Sequence, residues 1–202
     1  GTGGLGDRTG SPLSSSTCSA CHSGGAFNVS VAVDVFDPVL GASVTSYVPG
    51  TDYEITFVVS GNASAYGFQA GALTGSNAAG GVFSQTTANS QTVSISGRPY
   101  LEHDNGPSST GVFQALWTAP AANSGSITFY GIGLGVNQNG GTSGDNISTP
   151  IAVTLTEVVP TTIDFPGTPF CANEPTQSPV VTGETTGTYT ASGGLVINSS
   201  TG

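Results

Sequence analysis

The stretch YEITFVVSGNASAYGFQAGAL, residues 53–73, consists of two apolar runs separated by a short segment of small and polar residues. In each run bulky apolar side chains alternate with smaller or polar ones, and this period of two is typical of half-buried β-strands. The alternating residues that define one face of each run are Tyr53, Ile55, Phe57 and Val59, then Tyr66 and Phe68. The stretch therefore predicts two consecutive strands of a β-sheet protein.

The same alternation recurs on both sides of this stretch, and Gly, Asn, Pro and Ser occupy the breaks. The predicted strands lie at residues 28–36, 53–59, 65–75, 91–97, 112–121, 125–136 and 149–159. Residues 98–111, with strong turn formers at 104–107, are predicted to be a loop. About seven to nine strands between residues 28 and 159 is the number expected of an antiparallel, immunoglobulin-like β-sandwich, with Trp117 in its core.

The segments that flank the predicted sandwich differ from it in composition. Residues 1–27 are rich in Gly and Ser and are predicted to be irregular, with one helical turn at the cysteine cluster. After Val159 the sequence pattern changes to a different spacing of short predicted strands and turns. We interpret residues 160–202 as the start of a second, immunoglobulin-like β-module that continues past residue 202. Cys171 lies in this module and is expected to be a buried thiol or one half of a disulfide.

The charge of the chain excludes several classes of partner. Of its 202 residues twelve are Asp or Glu, Arg8 and Arg98 are the only cations, and the net charge is −10. Binding to nucleic acids or to anionic membrane surfaces needs clustered Lys and Arg, so neither is expected. No apolar run is long enough to span a membrane. We expect a secreted protein, extracellular or at the cell surface, whose first residue follows a removed signal peptide or a trimmed end.

The segment TCSACHSGG, residues 17–25, holds two of the three cysteines and one of the two histidines. Four kinds of site use a C-x-x-C pair: a redox dithiol, a zinc site, a disulfide and covalently bound haem. A redox dithiol needs a helix in a βαβ setting, and a zinc site usually needs a second ligand pair at similar spacing. The sequence offers neither, and a disulfide leaves the adjacent histidine unexplained.

Covalent haem explains Cys18, Cys21 and His22 together. The two thiols form thioethers with the haem vinyl groups, and the adjacent histidine binds the iron as an axial ligand. We therefore predict one covalently attached haem c.

His103 is the predicted second ligand of the haem iron. Haem c usually takes a Met or a second His in this position, and the chain contains no Met and no Lys. We expect bis-His iron, with Glu102 or Asp104 accepting a hydrogen bond from the other ring nitrogen. The alternative is five-coordinate or water-ligated iron, which favours ligand binding or peroxide chemistry.

Arg98 is the candidate partner of a haem propionate, because it lies five residues before His103 and is one of two cations in the chain. The alternative is an arginine solvated in the loop. Tyr100 is a candidate to pack against the porphyrin edge.

Four segments, in this order, resemble the Reeler family: YVPGTDYEITFVVSG, AYGFQAGAL, VFQALWTAPAANSGSITFYGIGL and GDNI. The chain is similar in particular to a bacterial branch in which a secreted protein carries a TCSACH-like motif before the sandwich and often a sorting or repeat module after it. The resemblance covers roughly residues 10–158. It implies an extracellular or surface protein in which Cys18, Cys21 and His22 anchor the haem and His103 faces it. The segment after residue 160 looks like the start of an immunoglobulin-like repeat of long bacterial surface proteins.

These observations favour a secreted monohaem c-type cytochrome for extracellular electron transfer over an enzyme. Its expected partners are a redox protein or other copies of itself in a homopolymeric filament. The unfinished module at 160–202 is the candidate contact, because unpaired strand edges pair readily with other chains. The main alternative is a structural or adhesive cell-surface protein without a redox role. An enzyme or gas sensor is disfavoured, because no general base lies near either histidine in the sequence.

Overall fold

The computed structural model describes residues 5–104, 106–164 and 179–183, and these residues form an almost entirely β structure. A short 3-10 helix at Cys18–Ala20 precedes the strands. The strands are β1 Ser23–Gly24, β2 Ser30–Asp37, β3 Ala42–Ser43, β4 Ser46–Tyr47, β5 Asp52–Ser60, β6 Ala65–Thr74, β7 Val82–Ser84, β8 Ser90–Ile95, β9 Arg98–His103, β10 Val112–Thr118, β11 Ile127–Val136, β12 Ser143–Ile147, β13 Ile151–Glu157, β14 Thr162–Asp164 and β15 Val180–Thr182. The predicted all-β fold class is confirmed, as is the helical turn at the cysteines.

The chain divides into two compact units, Gly1–Glu157 and Val158–Gly202. In the second unit the described residues form the antiparallel pair β14 and β15. The rest of the module predicted at 160–202, Cys171 included, lies outside the described residues.

Two sheets build the first unit. One has the strand order β1-β12-β11-β6-β9-β8, and β13 and β4 extend it beside β11. The other has the order β3-β2-β5-β10-β7. Pairing is antiparallel except between β1 and β12 and between β13 and β4. Strands β12 and β13 share one edge of β11, since β13 pairs with residues 127–131 and β12 with residues 134 and 135. This sharing places β12 beside the C-terminal end of β11.

The stretch 53–73 connects the two sheets, because β5 belongs to one and β6 to the other. Its alternating apolar residues face each other across the sandwich and are buried, as the period of two predicts. The ring of Phe68 packs 5.6 Å from that of Phe57 and 4.1 Å from that of Phe113. Trp117 is fully buried against Phe129, at 4.8 Å, which confirms its place in the core.

Strands β6 and β11 are buried on both faces over most of their length. Their inner faces meet the second sheet. Over their outer faces lies the N-terminal segment, held by a hydrogen bond of 2.5 Å from the Arg8 amide to Gln69 Oε1 and one of 2.9 Å from the Tyr100 hydroxyl to Asp7. A second apolar cluster forms on this outer face, from Ala65, Leu134 and Val136. The candidate site lies here, between the sheet and the N-terminal segment, and not in the sandwich core.

Candidate functional site

A cavity of about 700 Å³ lies between the N-terminal segment and the outer face of the larger sheet. Cofactor pockets in proteins fall in the range of roughly 300–1,000 Å³. Its walls come from four parts of the first unit: the segment before β1, strands β6, β9 and β11, the loop after β9, and the loop leading into β12 with Asp145 of that strand. Cys18, Cys21, His22 and His103 all line it, although the two histidines are 81 positions apart in the sequence.

The 3-10 helix presents the cysteines and His22 to this cavity. Thr17 caps the helix through a hydrogen bond of 3.4 Å from the Ser19 amide to Thr17 Oγ1, and the His22 amide donates to the Cys18 carbonyl at 2.9 Å. This single turn brings Cys18, Cys21 and His22 to the same wall of the cavity. Both thiols are free, Cys18 partly buried and Cys21 exposed.

The two glycines after His22 let the segment lie flat on β12. The Ser23 amide donates to the Thr142 carbonyl at 3.2 Å, and the Gly25 amide donates to the Asp145 carbonyl at 2.8 Å. A Cβ on Gly25 would come within 2.5 Å of the Gly144 carbonyl oxygen, so only glycine permits this approach. The SGG part of the motif therefore fixes the cysteine turn against the sheet.

His22 is oriented by a buried carboxylate. Its Nδ1 lies 2.7 Å from Asp145 Oδ2, and the side chain of Asp145 is only 1% exposed. The other oxygen, Oδ1, accepts from the Asn137 amide at 3.1 Å. Since a carboxylate only accepts, Nδ1 carries a proton, and in the neutral ring Nε2 keeps its lone pair.

His103 is oriented by a backbone carbonyl. It is the last residue of β9, and its Nδ1 lies 3.3 Å from the Phe68 carbonyl oxygen. A carbonyl oxygen only accepts, so here too the proton sits on Nδ1 and Nε2 is left as a ligand. Burial lowers the pKa of His103 below its usual value, which keeps the ring neutral. In their neutral forms both histidines of the chain thus offer Nε2 as a ligand.

Two features predicted for His103 are wrong. It ends a strand and does not lie in a loop, because the turn formers begin only at Asp104, after the strand is complete. The acceptor at Nδ1 is the Phe68 carbonyl in place of the predicted carboxylate of Glu102 or Asp104. Glu102 is buried and accepts from Gln69 Nε2 at 2.7 Å.

Arg98 does not line the cavity, and its predicted pairing with a haem propionate is wrong for a simple geometric reason. Arg98 and His103 are the first and last residues of β9, so they are about 17 Å apart along the strand. The Arg98 Nε donates to the Asn77 carbonyl at 2.8 Å. The cation that does line the cavity is Arg8, whose Nη1 donates to Ser16 Oγ.

Tyr100 also lies away from the cavity lining. Its ring packs over Gly71, where a Cβ would come within 2.7 Å of the ring, and its hydroxyl donates to Asp7. Tyr100 anchors the N-terminal segment instead of contacting a ligand.

Sequence reasoning missed three contributors to the site: Asp145, Arg8 and Gly67. An Asp in a Gly- and Asn-rich stretch is ordinarily a turn residue, and Arg8 lies in an irregular segment, so neither carried a signal in the sequence. Gly67 leaves room for the His103 ring, since a Cβ there would lie 3.0 Å from His103 Nδ1. The sequence did offer a sign of this role, because a glycine inside a predicted strand often marks a place where another group packs closely against the backbone.

Within the described part of the chain no group of three or more His, Cys, Asp or Glu side chains is placed to hold a metal ion by protein ligands alone. Over the same residues no helix is long and apolar enough to cross a membrane.

No known protein family matches this chain, and no curated protein matches it. Among solved structures it is similar to the Reelin-N domain of F-spondin, with 20% identity over 69% of this chain and 94% of that chain and a TM-score of 0.48. A human F-spondin reeler domain shares 19% identity over 67% of this chain and 92% of that chain, with a TM-score of 0.45. AvmM, which catalyses macrocyclization in alchivemycin A biosynthesis, shares 9% identity over 64% of this chain and 88% of that chain, with a TM-score of 0.39.

Proposed function

We propose that this chain is a secreted monohaem c-type cytochrome that carries electrons outside the cell. The observation that carries the proposal is the cavity, into which the fold brings both thiols of the C-x-x-C-H motif and both histidines of the chain. A chance C-x-x-C-H sequence gives no reason for a distant second histidine to share its cavity.

The residues around the cavity fit a covalently bound haem. The Cys18 and Cys21 thiols would each add across one vinyl double bond, with sulfur and hydrogen going to the two carbons, so no oxidant is needed. His22 and His103 would each offer Nε2 to the iron, because Nδ1 of each ring already donates to an acceptor. Leu134, Val136 and other apolar side chains supply a dry wall for the macrocycle.

A haem bound in this way would supply a reversible one-electron couple between Fe(III) and Fe(II). If both imidazoles held the iron, no position would be left open for a substrate, which favours electron transfer over catalysis. The acidic surface, with a net charge of −10, would disfavour anionic partners and favour basic ones. The expected partner is a one-electron redox protein or another copy of the chain.

A redox dithiol is the competing chemistry for the two cysteines. Reactive dithiols depend on a thiol whose pKa is lowered, because the thiolate is the nucleophile. Burial raises the pKa of Cys18 to about 11. A thiol that stays protonated at neutral pH supports the haem interpretation over a dithiol exchange site.

The test is expression of the full chain behind a secretion signal in a bacterium that matures c-type cytochromes. Intact mass should exceed the sequence mass by one haem, and acid–acetone should not extract the colour. The double variant Cys18→Ala/Cys21→Ala should lose the added mass, while Cys171→Ala, a matched control outside the motif, should keep it. A wild-type chain with no added mass would overturn the proposal and leave the structural or adhesive surface protein as the remaining interpretation.

A further inference from the structure

The two histidines of the cavity differ in what holds their Nδ1 atoms. His22 donates to a carboxylate at 2.7 Å, whereas His103 donates to a neutral carbonyl at 3.3 Å. Hydrogen bonds to an ionised acceptor are shorter and roughly twice as strong as neutral ones. The site is therefore electrostatically asymmetric, with the buried charge on the side of His22.

Asp145 is held in place by the backbone around it. Its Oδ1 accepts from the Asn137 amide at 3.1 Å, and its carbonyl accepts from the Gly25 amide at 2.8 Å. Its neighbour Gly144 has a φ of +78°, and a Cβ there would lie 2.3 Å from Asn137 Nδ2. The carboxylate cannot swing to solvent without breaking its hydrogen bonds with the Asn137 amide and His22.

A carboxylate that is 1% exposed would be costly without partners, and here His22 and the Asn137 amide supply them. A backbone carbonyl would orient the ring equally well, as the Phe68 carbonyl does for His103. What the carboxylate adds beyond orientation is a full negative charge next to the imidazole.

We infer that Asp145 is a positioning residue that also sets the reduction potential of the site, by stabilising the oxidised iron. This inference rests on the proposed function. The carboxylate draws the Nδ1 proton towards itself, which makes Nε2 a stronger electron donor. The buried negative charge would also favour Fe(III) over Fe(II) in an iron held by His22, because Fe(III) carries one more positive charge. Both effects lower the potential.

The test is a spectroelectrochemical titration of the haem-loaded full chain and of Asp145→Asn. At the potential where the wild type is half reduced, the ratio of reduced to oxidised iron in D145N should be about tenfold higher, because a charge-assisted hydrogen bond has become a neutral one. That ratio corresponds to about 59 mV for a one-electron couple. The matched control is Asp52→Asn, which removes the charge of an exposed carboxylate bonded to Thr118 Oγ1 at 2.6 Å. D52N should change the ratio by less than about twofold, since surface charge is screened.

An unchanged ratio in haem-loaded D145N would overturn the inference and leave the proposed function intact. An equal shift in D52N would assign the effect to net charge and would also overturn it. A wild-type chain without covalent haem would overturn both.

Proton NMR of the reduced wild type tests the inference even if D145N does not fold. The His22 Nδ1 proton should resonate further downfield and exchange more slowly than the His103 Nδ1 proton. Equal shifts for the two protons would contradict the asymmetry on which the inference depends.

Discussion

Gly67 determines where the His103 imidazole can lie. A Cβ at residue 67 would come within 3.0 Å of His103 Nδ1 and 3.1 Å of Cε1. The φ of Gly67 lies outside the left-handed region, so the contact and not the backbone requires glycine here. The ring is thus held between the Phe68 carbonyl and the bare backbone of β6, and its Nε2 has a fixed direction.

We expect Gly67→Ala to displace the His103 ring while the haem stays attached through Cys18 and Cys21. The cost in stability should be about 1–3 kcal/mol, the usual cost of an added methyl group in a packed site. The visible spectrum should shift partly from low spin to high spin. Gly75→Ala is the matched control, because nothing lies within 4 Å of a Cβ there. A low-spin G67A variant would show that this glycine does not position the ligand.

His103→Ala should convert a six-coordinate, low-spin spectrum into a high-spin one that binds carbon monoxide or imidazole. The reason is that, once His22 is bound, the chain has no Met, Lys or other His to replace it. Circular dichroism should confirm that the strands persist, since the ring is not part of the sandwich core. If the wild type is already high spin, or H103A keeps the wild-type spectrum, His103 is not the ligand.

At the scale of the element, the carboxylate of Asp7 organises the N-terminal segment of residues 5–16 and ties it to β9 through Tyr100. Asp7 accepts from Thr9, Ser11, Ser14 and Tyr100 side chains at 2.5–2.9 Å. Burial by itself would raise the pKa of Asp7, but the hydrogen bonds from Ser11, Thr9 and Ser14 together outweigh it and hold the pKa below 3.8. Because this segment forms one wall of the cavity, the same carboxylate supports the site.

The stability that Asp7 contributes should depend on pH. A carboxylate whose pKa is lowered by folding stabilises the native state above its unfolded pKa, and this contribution disappears as the pH falls through the folded value. Thermal unfolding should show wild type more stable than Asp7→Asn by roughly 2 kcal/mol at pH 6, and the difference should shrink below pH 3.8. A difference that stays constant down to pH 2 would contradict this role. Exposed Asp52→Asn should show a much smaller effect at every pH.

The longer strands could be predicted from the sequence because bulky apolar residues recur along them with a period of two. β2, β5 and β10 alternate between more and less buried residues as this period predicts, whereas β6 and β11 are buried on both faces and alternate in the sequence between bulky and small side chains. The sequence did not predict β12, since its residues 143–147 read as a turn-rich loop. Strands of two or three residues, such as β1, are defined by their pairing partner and have no period to detect.

Only the part of the candidate site that is formed by residues close together in the sequence, or left by elimination, could be predicted. The spacing of Cys18, Cys21 and His22 indicates haem without any fold, and His103 follows by elimination. Which charges surround the histidines depends on tertiary contacts between distant segments. His22 and Asp145 are 123 positions apart, and no local sequence pattern predicts such a pair.

At the scale of the whole molecule, the cavity lining lies entirely within the first compact unit, between Leu5 and Asp145. A chain that ends at residue 159 keeps every residue of that lining. It should therefore retain the covalent haem and the wild-type visible spectrum. A shortened chain that loses the haem would show that the second unit contributes to maturation or to the site.

The second unit is the predicted contact between copies. Its described strands, β14 and β15, pair with each other and, among the described residues, with no third strand, and Ile163 and Val180 are about half exposed on them. Strand edges that stay unpaired add strands from other chains. Analytical ultracentrifugation should show concentration-dependent association of the full chain and a monomer for the chain ending at 159. Association that is equally strong after truncation would place the contact in the first unit.

Ile163→Lys tests the same contact in the full-length chain, because a lysine on a strand edge opposes strand addition. This variant should weaken association without changing the visible spectrum of the haem.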